Sequence, residues 1–231
     1  MGALKPLKVD ISLDKLAYDR IKDAILTFQF MPGEILIEGE LATQLGISKT
    51  PVRDALIWLE KEGLVTRIPF KGTHVTDINN QDMVNFLEIR TVLEGLAIRH
   101  ATELLSDTDI EKLEKLIDKQ HQALNKKDYA AVSKINTEFH GLILQKCNNP
   151  HLLKTLEALD DLLKRYRLLS IVQGLGFEKA IPEHKSIIAA LKNRDPLEAE
   201  KAMKEHLMSA MNDLNSQDLT KLEYILAKKS P

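Results

Sequence analysis

The segment Leu41–Leu56, LATQLGISKTPVRDAL, and its continuation Leu59–Val65, LEKEGLV, decide how the first part of this chain folds. Leucines and alanines recur at helical spacing on both sides of Gly46, a residue suited to the left-handed turn that ends a helix. Ser48 stands where a residue with a capping hydroxyl opens the next helix. The segment therefore predicts two short helices joined by a tight turn.

The flanking residues extend this pattern. Apolar residues at helical spacing predict a first helix over 13–28, followed by a break that contains proline and glycine. The central segment supplies the next two helices, predicted over 38–45 and 48–63. After them, 64–68 and 73–76 have the β-branched composition of two short strands. Short helices followed by a β-hairpin predict a winged helix-turn-helix.

In this arrangement the second helix of the pair fits the major groove of DNA, and residues near its N-terminus reach phosphates and base edges. The whole chain carries a formal net charge of −2, but 48–76 holds five Lys or Arg residues against three Asp or Glu residues. Only a local basic face is needed to meet phosphates. The residues expected to contact double-stranded DNA are Ser48, Lys49, Thr50, Arg53, Lys71 and Gly72. For Ser48 and Thr50, helix capping is an equally good interpretation.

The quoted segment resembles the signature of GntR-family transcriptional regulators, and the resemblance covers nearly all of 10–76. It implies a two-fold symmetric operator bound by a homodimer. Two positions depart from the family pattern. Gly39 stands where an arginine is usual, and Lys49 replaces another arginine. Lysine is a point charge without the planar fork that reads guanine. Arg53 is therefore expected to be the chief DNA-contacting residue.

The rest of the chain consists of successive amphipathic helices. They are predicted over 81–102, 106–125, 128–146, 150–171, 177–193 and 195–214, with a short tail helix after them. Apolar faces on successive antiparallel helices imply a bundle. The predicted fold is mainly α, with a winged helix-turn-helix domain at 1–78 and an all-α antiparallel bundle at 79–231.

Four polar residues of the bundle suggest a metal site. Asn136 and His140 lie four residues apart and share one face of a helix, while His184 and His206 lie on two others. Each has apolar neighbours at helical spacing, so each can point into the bundle. A single inward histidine is more often an ordinary core residue. Three imidazoles that converge from separate helices suit a first-row divalent metal.

The bundle resembles the FCD ligand-binding domain of FadR-like GntR regulators. The resemblance rests on five short motifs in order: FLEIRTVLE at 86–94, NTEFH at 136–140, NPHL at 149–152, EH at 183–184 and HL at 206–207. It implies a divalent metal, such as zinc, nickel or manganese, held by an aspartate and three histidines. These ligands correspond to Asn136, His140, His184 and His206. Asn136 departs from the pattern, because its amide oxygen is neutral.

FCD domains typically sense small organic acids, and the resemblance places Arg90 at the position that grips the effector carboxylate. A guanidinium can pair with a carboxylate through two hydrogen bonds. An ion pair with Glu94 or Glu88 is the alternative interpretation of Arg90. The run Arg165, Tyr166 and Arg167 supplies weaker candidates. Whether an effector releases or promotes DNA binding is not encoded in these motifs.

Other features narrow the function class. No apolar run approaches the roughly 18–20 residues that span a bilayer, and the N-terminus lacks the apolar core of a signal peptide. A single cysteine, Cys147, fits a reducing compartment, so a cytoplasmic regulator with no membrane partner is expected. Two alternatives remain open, a metalloenzyme acting on a small acid and a regulator whose metal is purely structural. The first is disfavoured because no partnered nucleophile or general base is recognisable.

Overall fold

A computed structural model describes residues 12–77, 80–157, 159, 164 and 177–215. The chain divides into two compact units, Met1–Ile78 and Asn79–Pro231, each of which is described by itself. The predicted fold class is confirmed, since the described chain is mainly helical with one small sheet in the first unit. None of the helices in the described residues is long and apolar enough to span a membrane.

In residues 12–77, the described part of the first unit, there are three helices: α1 (Leu13–Leu26), α2 (Glu38–Leu45) and α3 (Lys49–Lys61). The apolar face of α3, made by Val52, Ala55, Leu56 and Leu59, is buried. Gly46 ends α2 with a φ of 68°, the left-handed conformation expected from the sequence. The predicted helix pair is thus present, and the N-terminus of α3 is exposed.

The sheet of the first unit has three strands rather than the predicted two. The hairpin strands β2 (Val65–Ile68) and β3 (Gly72–Val75) are joined by β1 (Ile35–Leu36), in the order β1-β3-β2 with antiparallel pairing. Since β1 is only two residues long, it has no alternating pattern that the sequence could reveal. It fixes one edge of the hairpin through the pairs Ile35–His74 and Leu36–Thr73.

All the regular secondary structure described in the second unit is helical. Its helices are α4 (Asn80–Ala101), α5 (Asp107–Asn125), α6 (Tyr129–Gln145), α7 (the helical residues 150–157), α8 (Phe177–Lys192) and α9 (Pro196–Asn215). A predicted capping box is present at the start of α5, where Ser106 and Asp109 each bond the other's backbone N–H. The predicted continuation of α7 to residue 171 and the tail helix lie outside the described residues.

The core of this unit is formed by leucine, isoleucine and alanine side chains from α4, α5, α6, α8 and α9. Its largest member, Phe139, is fully buried and stacks on the ring of His184, with ring centroids 4.2 Å apart. The site histidines therefore sit in the tightly packed interior, where side chains have little freedom to move.

Candidate functional site

Three of the four predicted metal ligands meet in the interior of the second unit. His140 of α6, His184 of α8 and His206 of α9 are all buried, and each offers a ring nitrogen within 4.8 Å of those of the other two. The residues come from positions far apart in the sequence, so only the packing of the bundle brings them together. A cluster of this kind is the arrangement that the sequence predicted from three separate helices.

Each imidazole is held through its outer nitrogen by an oxygen atom of a neighbouring helix. The Nδ1–oxygen distances are 2.6 Å from His140 to Glu94, 2.7 Å from His206 to Glu183 and 3.1 Å from His184 to Gln120. Ionised carboxylate and amide oxygens only accept hydrogen bonds, so Nδ1 carries the proton in each ring. In a neutral ring the Nε2 atom is then left with an unshared electron pair.

Among the described residues, these three Nε2 atoms make a single contact, between His140 and His206. The Nε2 atoms of His140 and His206 lie 3.3 Å apart, close enough for two bare electron pairs to repel. The Nε2 atom of His184 is buried without a hydrogen-bond partner among the described residues. A proton shared by the first two rings leaves the third unsatisfied. A divalent cation among the three satisfies all of them, and outer-nitrogen hydrogen bonds are the usual support for metal-bound histidines.

The electrostatics of the cluster favour neutral imidazoles facing an ionised carboxylate. Burial, helped by the positive charge of Arg90 and by His206, lowers the pKa of His140 although Glu94 acts to raise it, and burial together with the neighbouring histidines lowers the pKa of His184 well below its ordinary value. Burial raises the pKa of Glu94, but Arg90 and His140 outweigh it and hold this pKa far below its usual range. Neutral imidazole is the form that coordinates a metal.

Asn136, the fourth predicted ligand, lies one helical turn before His140 and is half-buried. Both residues line a cavity of about 370 Å³ between α4, α6 and α7. The cavity wall combines these polar groups with the apolar side chains of Leu144, Leu153 and Leu156. A pocket with an apolar wall and a few converging polar groups has the character of a small-molecule site.

Arg90, the predicted effector-binding residue, lines the same cavity and forms an ion pair with Glu94. The Arg90 side chain is 13% exposed and the Glu94 side chain 1% exposed. The alternative interpretation of Arg90 as an ion-pair partner of Glu94 therefore describes a real contact. Since Glu94 also accepts from His140, a chain of contacts runs from the cavity wall to the histidine cluster.

Sequence reasoning missed the three residues that orient the histidines. The sequence indicates Glu94 only as a partner of Arg90, and it indicates no role for Gln120 or Glu183 in orienting the histidines. Glu183 precedes His184 in a motif that the sequence comparison used, yet it bonds His206 on the next helix. Gln120 lies 64 positions from His184 and carries no motif. Tertiary packing alone reveals these pairs.

The predicted DNA-contacting residues of α3 are exposed at its N-terminus. Ser48 occupies the N-cap position, but its hydroxyl makes no capping hydrogen bond. Lys49 and Thr50 are exposed in the first turn. The N–H groups and the dipole of a helix N-terminus favour an anion, so this end of α3 suits a phosphate.

Arg53 is exposed on α3 and is held by Glu38 of α2. The guanidinium donates through Nε and Nη2 to the Glu38 carboxylate, with an Nη2–Oε2 distance of 2.9 Å. The arginine side chain is 56% exposed. The ion pair fixes the direction of Arg53 while leaving the guanidinium accessible to a partner.

The two departures from the GntR pattern lie next to each other in space. A Cβ atom placed on Gly39 would lie 3.3 Å from Cε and 3.5 Å from Nζ of Lys49. The missing side chain at 39 thus leaves room for the end of the lysine chain. The ammonium group of Lys49 therefore occupies the space beside position 39.

The remaining predicted DNA contacts lie where β2 turns into β3. Lys71 precedes β3, and Gly72 begins it with a φ of 98° that L side chains rarely adopt. Both residues are exposed. Arg165, Tyr166 and Arg167, the weaker effector candidates, lie outside the described residues.

Two family matches cover most of the chain. Residues 13–75 match the family described as bacterial regulatory proteins, gntR family. Residues 85–209 match the FCD domain. The first match contains the helix pair and hairpin, and the second contains the three histidines and the cavity.

Whole-chain comparisons agree with these matches. The chain is 28% identical over 224 residues to the uncharacterised HTH-type transcriptional regulator YdhC of Bacillus subtilis, covering 94% of this chain and 96% of that protein. It is 29% identical over 176 residues to the HTH-type transcriptional repressor RspR of Escherichia coli, covering 76% and 77%. The solved structure of E. coli McbR/YncC superimposes with a TM-score of 0.71 at 26% identity, over 90% of this chain and 99% of that one.

Proposed function

Since this chain belongs to the gntR family of bacterial regulatory proteins and carries an FCD domain, we propose that a small carboxylate bound beside a metal in the FCD domain controls how a dimer binds its operator. The family resemblance inferred from the sequence is confirmed. Like its relatives, the chain is a DNA-binding transcriptional regulator and not an enzyme. The ligand, the metal and the dimer are the parts proposed here.

The observation that carries the metal proposal is the set of three Nε2 atoms that face one another without a protein donor. His140, His184 and His206 hold a divalent ion of the zinc, nickel or manganese type, and the oxygen acceptors behind them fix the rings. Asn136 is proposed as a further, neutral ligand. With three imidazoles and an amide, the protein contributes no charge directly to the ion, so the Glu94 and Glu183 carboxylates behind His140 and His206 supply the compensating charge.

The cavity beside this cluster is the proposed effector site. Arg90 and Asn136 supply polar contacts for a carboxylate, and the leucines of α6 and α7 cover the apolar part of the ligand. A bound metal supplies a Lewis-acid contact for the same carboxylate. An effector that binds one arrangement of the bundle more tightly increases the population of that arrangement. Because the two binding events are thermodynamically linked, the difference in effector affinity between the arrangements changes the affinity for the operator.

The substitution Gly141→Leu tests the effector site. Gly141 lines the cavity on α6, and a Cβ atom there meets no atom within 4 Å. Replacing a helical glycine adds about 0.8–1 kcal/mol of stability. We expect the melting temperature of the variant to rise by roughly 2–4 °C. We also expect the variant to lose the stabilisation that a binding carboxylate gives the wild type.

The measurement is a thermal-shift screen of small mono-, di- and hydroxycarboxylates with both proteins loaded with metal. Gly141→Ala is the matched control, because it gives the helix a similar propensity gain but fills little of the cavity. An effector that stabilises Gly141→Leu as much as the wild type would place the binding site elsewhere. Absence of stabilisation of the wild type by every acid, despite bound metal, would favour the purely structural metal.

An exposed apolar stripe on α4 is the proposed dimer contact of the FCD domain. Ile89, Val92 and Leu96 follow one helix face and are 48%, 62% and 38% exposed. Contiguous exposed apolar groups commonly mark an interaction surface. A second copy of this chain is the proposed occupant, because a two-fold operator requires two copies.

We expect Val92→Glu to shift the protein from dimer to monomer at micromolar concentration, since the substitution buries a charge in the contact. Sedimentation velocity reads the mass directly. Lys119→Glu on the exposed face of α5 changes charge by a larger amount and serves as the control. A Val92→Glu variant that sediments as a dimer at the wild-type concentration would exclude this stripe as the contact.

A further inference from the structure

The Glu94 carboxylate has two partners, one on each oxygen atom. Its Oε1 atom accepts a hydrogen bond from Nε of Arg90, and its Oε2 atom accepts one from Nδ1 of His140 at 2.6 Å. The Glu94 side chain is only 1% exposed, so these two partners take the place of solvent around the carboxylate. One buried negative charge is therefore shared between a cation and a ring of the histidine cluster.

Glu94 differs from the other two acceptors behind the histidines. Gln120 is a neutral amide. Glu183 carries a charge, but its side chain is 26% exposed, and the described residues give it no ion pair with a lysine or arginine. Lys179, whose charge also acts on Glu183, forms its ion pair with Asp213. Of the three acceptors, Glu94 is thus the one that is charged, fully buried and paired with a cation.

Arg90 connects this carboxylate to the cavity. The Arg90 side chain is 13% exposed and lines the cavity together with Asn136. Its hydrogen bond to Glu94 uses Nε, and the described residues provide no acceptor for the two Nη groups. A carboxylate in the cavity can therefore bind the Nη groups of the guanidinium while Nε remains on Glu94.

The charge of Arg90 opposes the binding of a cation at the histidine cluster. Arg90 and a divalent ion on the ring of His140 are both attracted to the Glu94 carboxylate, and they repel each other. Such charges interact more strongly in the protein interior than in water, because the interior screens them less. A carboxylate bound to Arg90 cancels the charge of the guanidinium and leaves the charge of Glu94 to favour the metal.

We propose that Glu94 is a positioning residue that couples the cavity to the metal cluster, so that Arg90 lowers the affinity for the metal and a carboxylate bound to Arg90 raises it. This inference rests on the metal and the carboxylate effector of the proposed function. By linkage, the metal raises the affinity for the carboxylate by the same factor. The regulator then responds to the carboxylate and the metal together.

The zinc affinity of the full-length protein gives the first test. Arg90→Gln removes the opposing cation, and we expect it to bind zinc about five- to twentyfold more tightly than the wild type. Glu94→Gln keeps an oxygen acceptor for the ring of His140 but removes the charge, and we expect its zinc affinity to fall by about tenfold or more. Competition with a chromogenic zinc chelator measures both affinities. Arg99→Gln, at an exposed cation on the same helix, is the control and should keep the wild-type affinity.

The direction of the Arg90→Gln effect distinguishes coupling from structural support. If Arg90 only held Glu94 in place, its loss would release the carboxylate from its position behind His140 and weaken zinc binding. Tighter zinc binding by Arg90→Gln, with weaker binding by Glu94→Gln, supports the proposal. An Arg90→Gln variant that binds zinc no more tightly than the wild type would overturn it.

A second test uses butyrate, whose short apolar chain suits the leucines of the cavity wall, and butyramide, an uncharged molecule of similar size. We expect butyrate to raise the zinc affinity of the wild type by about fivefold or more and butyramide to leave it unchanged. Arg90→Gln should show no rise with either compound. Equal butyrate responses of the two proteins, including no response in either, would contradict the proposal.

The double variant Arg90→Gln/Glu94→Gln keeps both tests decisive if Arg90→Gln, with its unpaired buried carboxylate, does not fold. Since both charges are removed, its zinc affinity should lie within about threefold of the wild type and should not respond to butyrate. A butyrate response equal to that of the wild type would exclude the role of the ion pair. A wild type that binds no zinc removes the proposed metal centre itself. A wild type that binds zinc but fails these comparisons leaves the centre standing and removes only the role of Glu94.

Discussion

Binding of one zinc ion should raise the melting temperature of the metal-free protein by about 5–10 °C, and His206→Gln should abolish most of this rise. A ligand present at about one hundred times its dissociation constant stabilises the folded state by about 2.7 kcal/mol. For a protein of this size, each kcal/mol corresponds to roughly 2–4 °C. The loss of one of three imidazoles removes a direct ligand and also the hydrogen bond from the His206 ring to Glu183.

Each variant is compared with its own metal-free form, so a substitution that weakens the bundle still reports on metal binding. His121→Gln, at an exposed histidine on α5, is the control and should keep the wild-type response.

Asn136→Asp should tighten metal binding if position 136 supplies a ligand, because a carboxylate adds the missing charge. Elemental analysis of protein purified without a histidine tag should find about one equivalent of metal. A wild-type protein with no metal and no response to added zinc, nickel or manganese would exclude the proposed centre.

The second large effect is expected from Arg53→Ala, which should weaken operator binding by a hundredfold or more. An arginine that reads a base edge contributes about 1–3 kcal/mol, and a dimer loses this contribution at both half-sites. Gel-shift titration at fixed salt, on a duplex that the wild-type protein selects from a random-sequence library, measures the loss. The fold should be retained, because the arginine side chain is more than half exposed.

Lys61→Ala provides a matched control for this experiment. It removes one cation from the other end of the same helix, where Lys61 is exposed in the last turn. Its effect on affinity should be small, since residues near the N-terminus of the recognition helix make the base contacts. Equal losses from the two substitutions would mean that general charge, and not the position of Arg53, determines binding.

The parts of the structure that sequence could predict are those with a local signal. Gly46 marks the end of α2, and the spacing of Val52, Leu56 and Leu59 gives the buried face of α3. The strand β1 escaped prediction because two residues carry no periodic pattern. Its place depends on pairing with β3, which only the folded chain brings near.

The candidate metal centre also has a part that the sequence could predict and a part that it could not. The three histidines were predictable, because each stands on an amphipathic helix and the family resemblance orders them. Their hydrogen-bond acceptors were not, since Glu94 lies 46 positions from His140 and had a nearer partner in Arg90. Helix periodicity predicts which face a residue occupies but not which of several inward polar groups it meets. That choice depends on the rotation and offset of the packed helices.

The close approach of Lys49 to Gly39 couples these two positions physically. A larger residue at 39 displaces the lysine chain, and a shorter residue at 49 leaves the glycine with an uncovered surface. Neighbouring positions of this kind do not contribute additively. When this regulator is retargeted to a different operator, we therefore expect a library that varies positions 39 and 49 together to find combinations that single substitutions do not reveal.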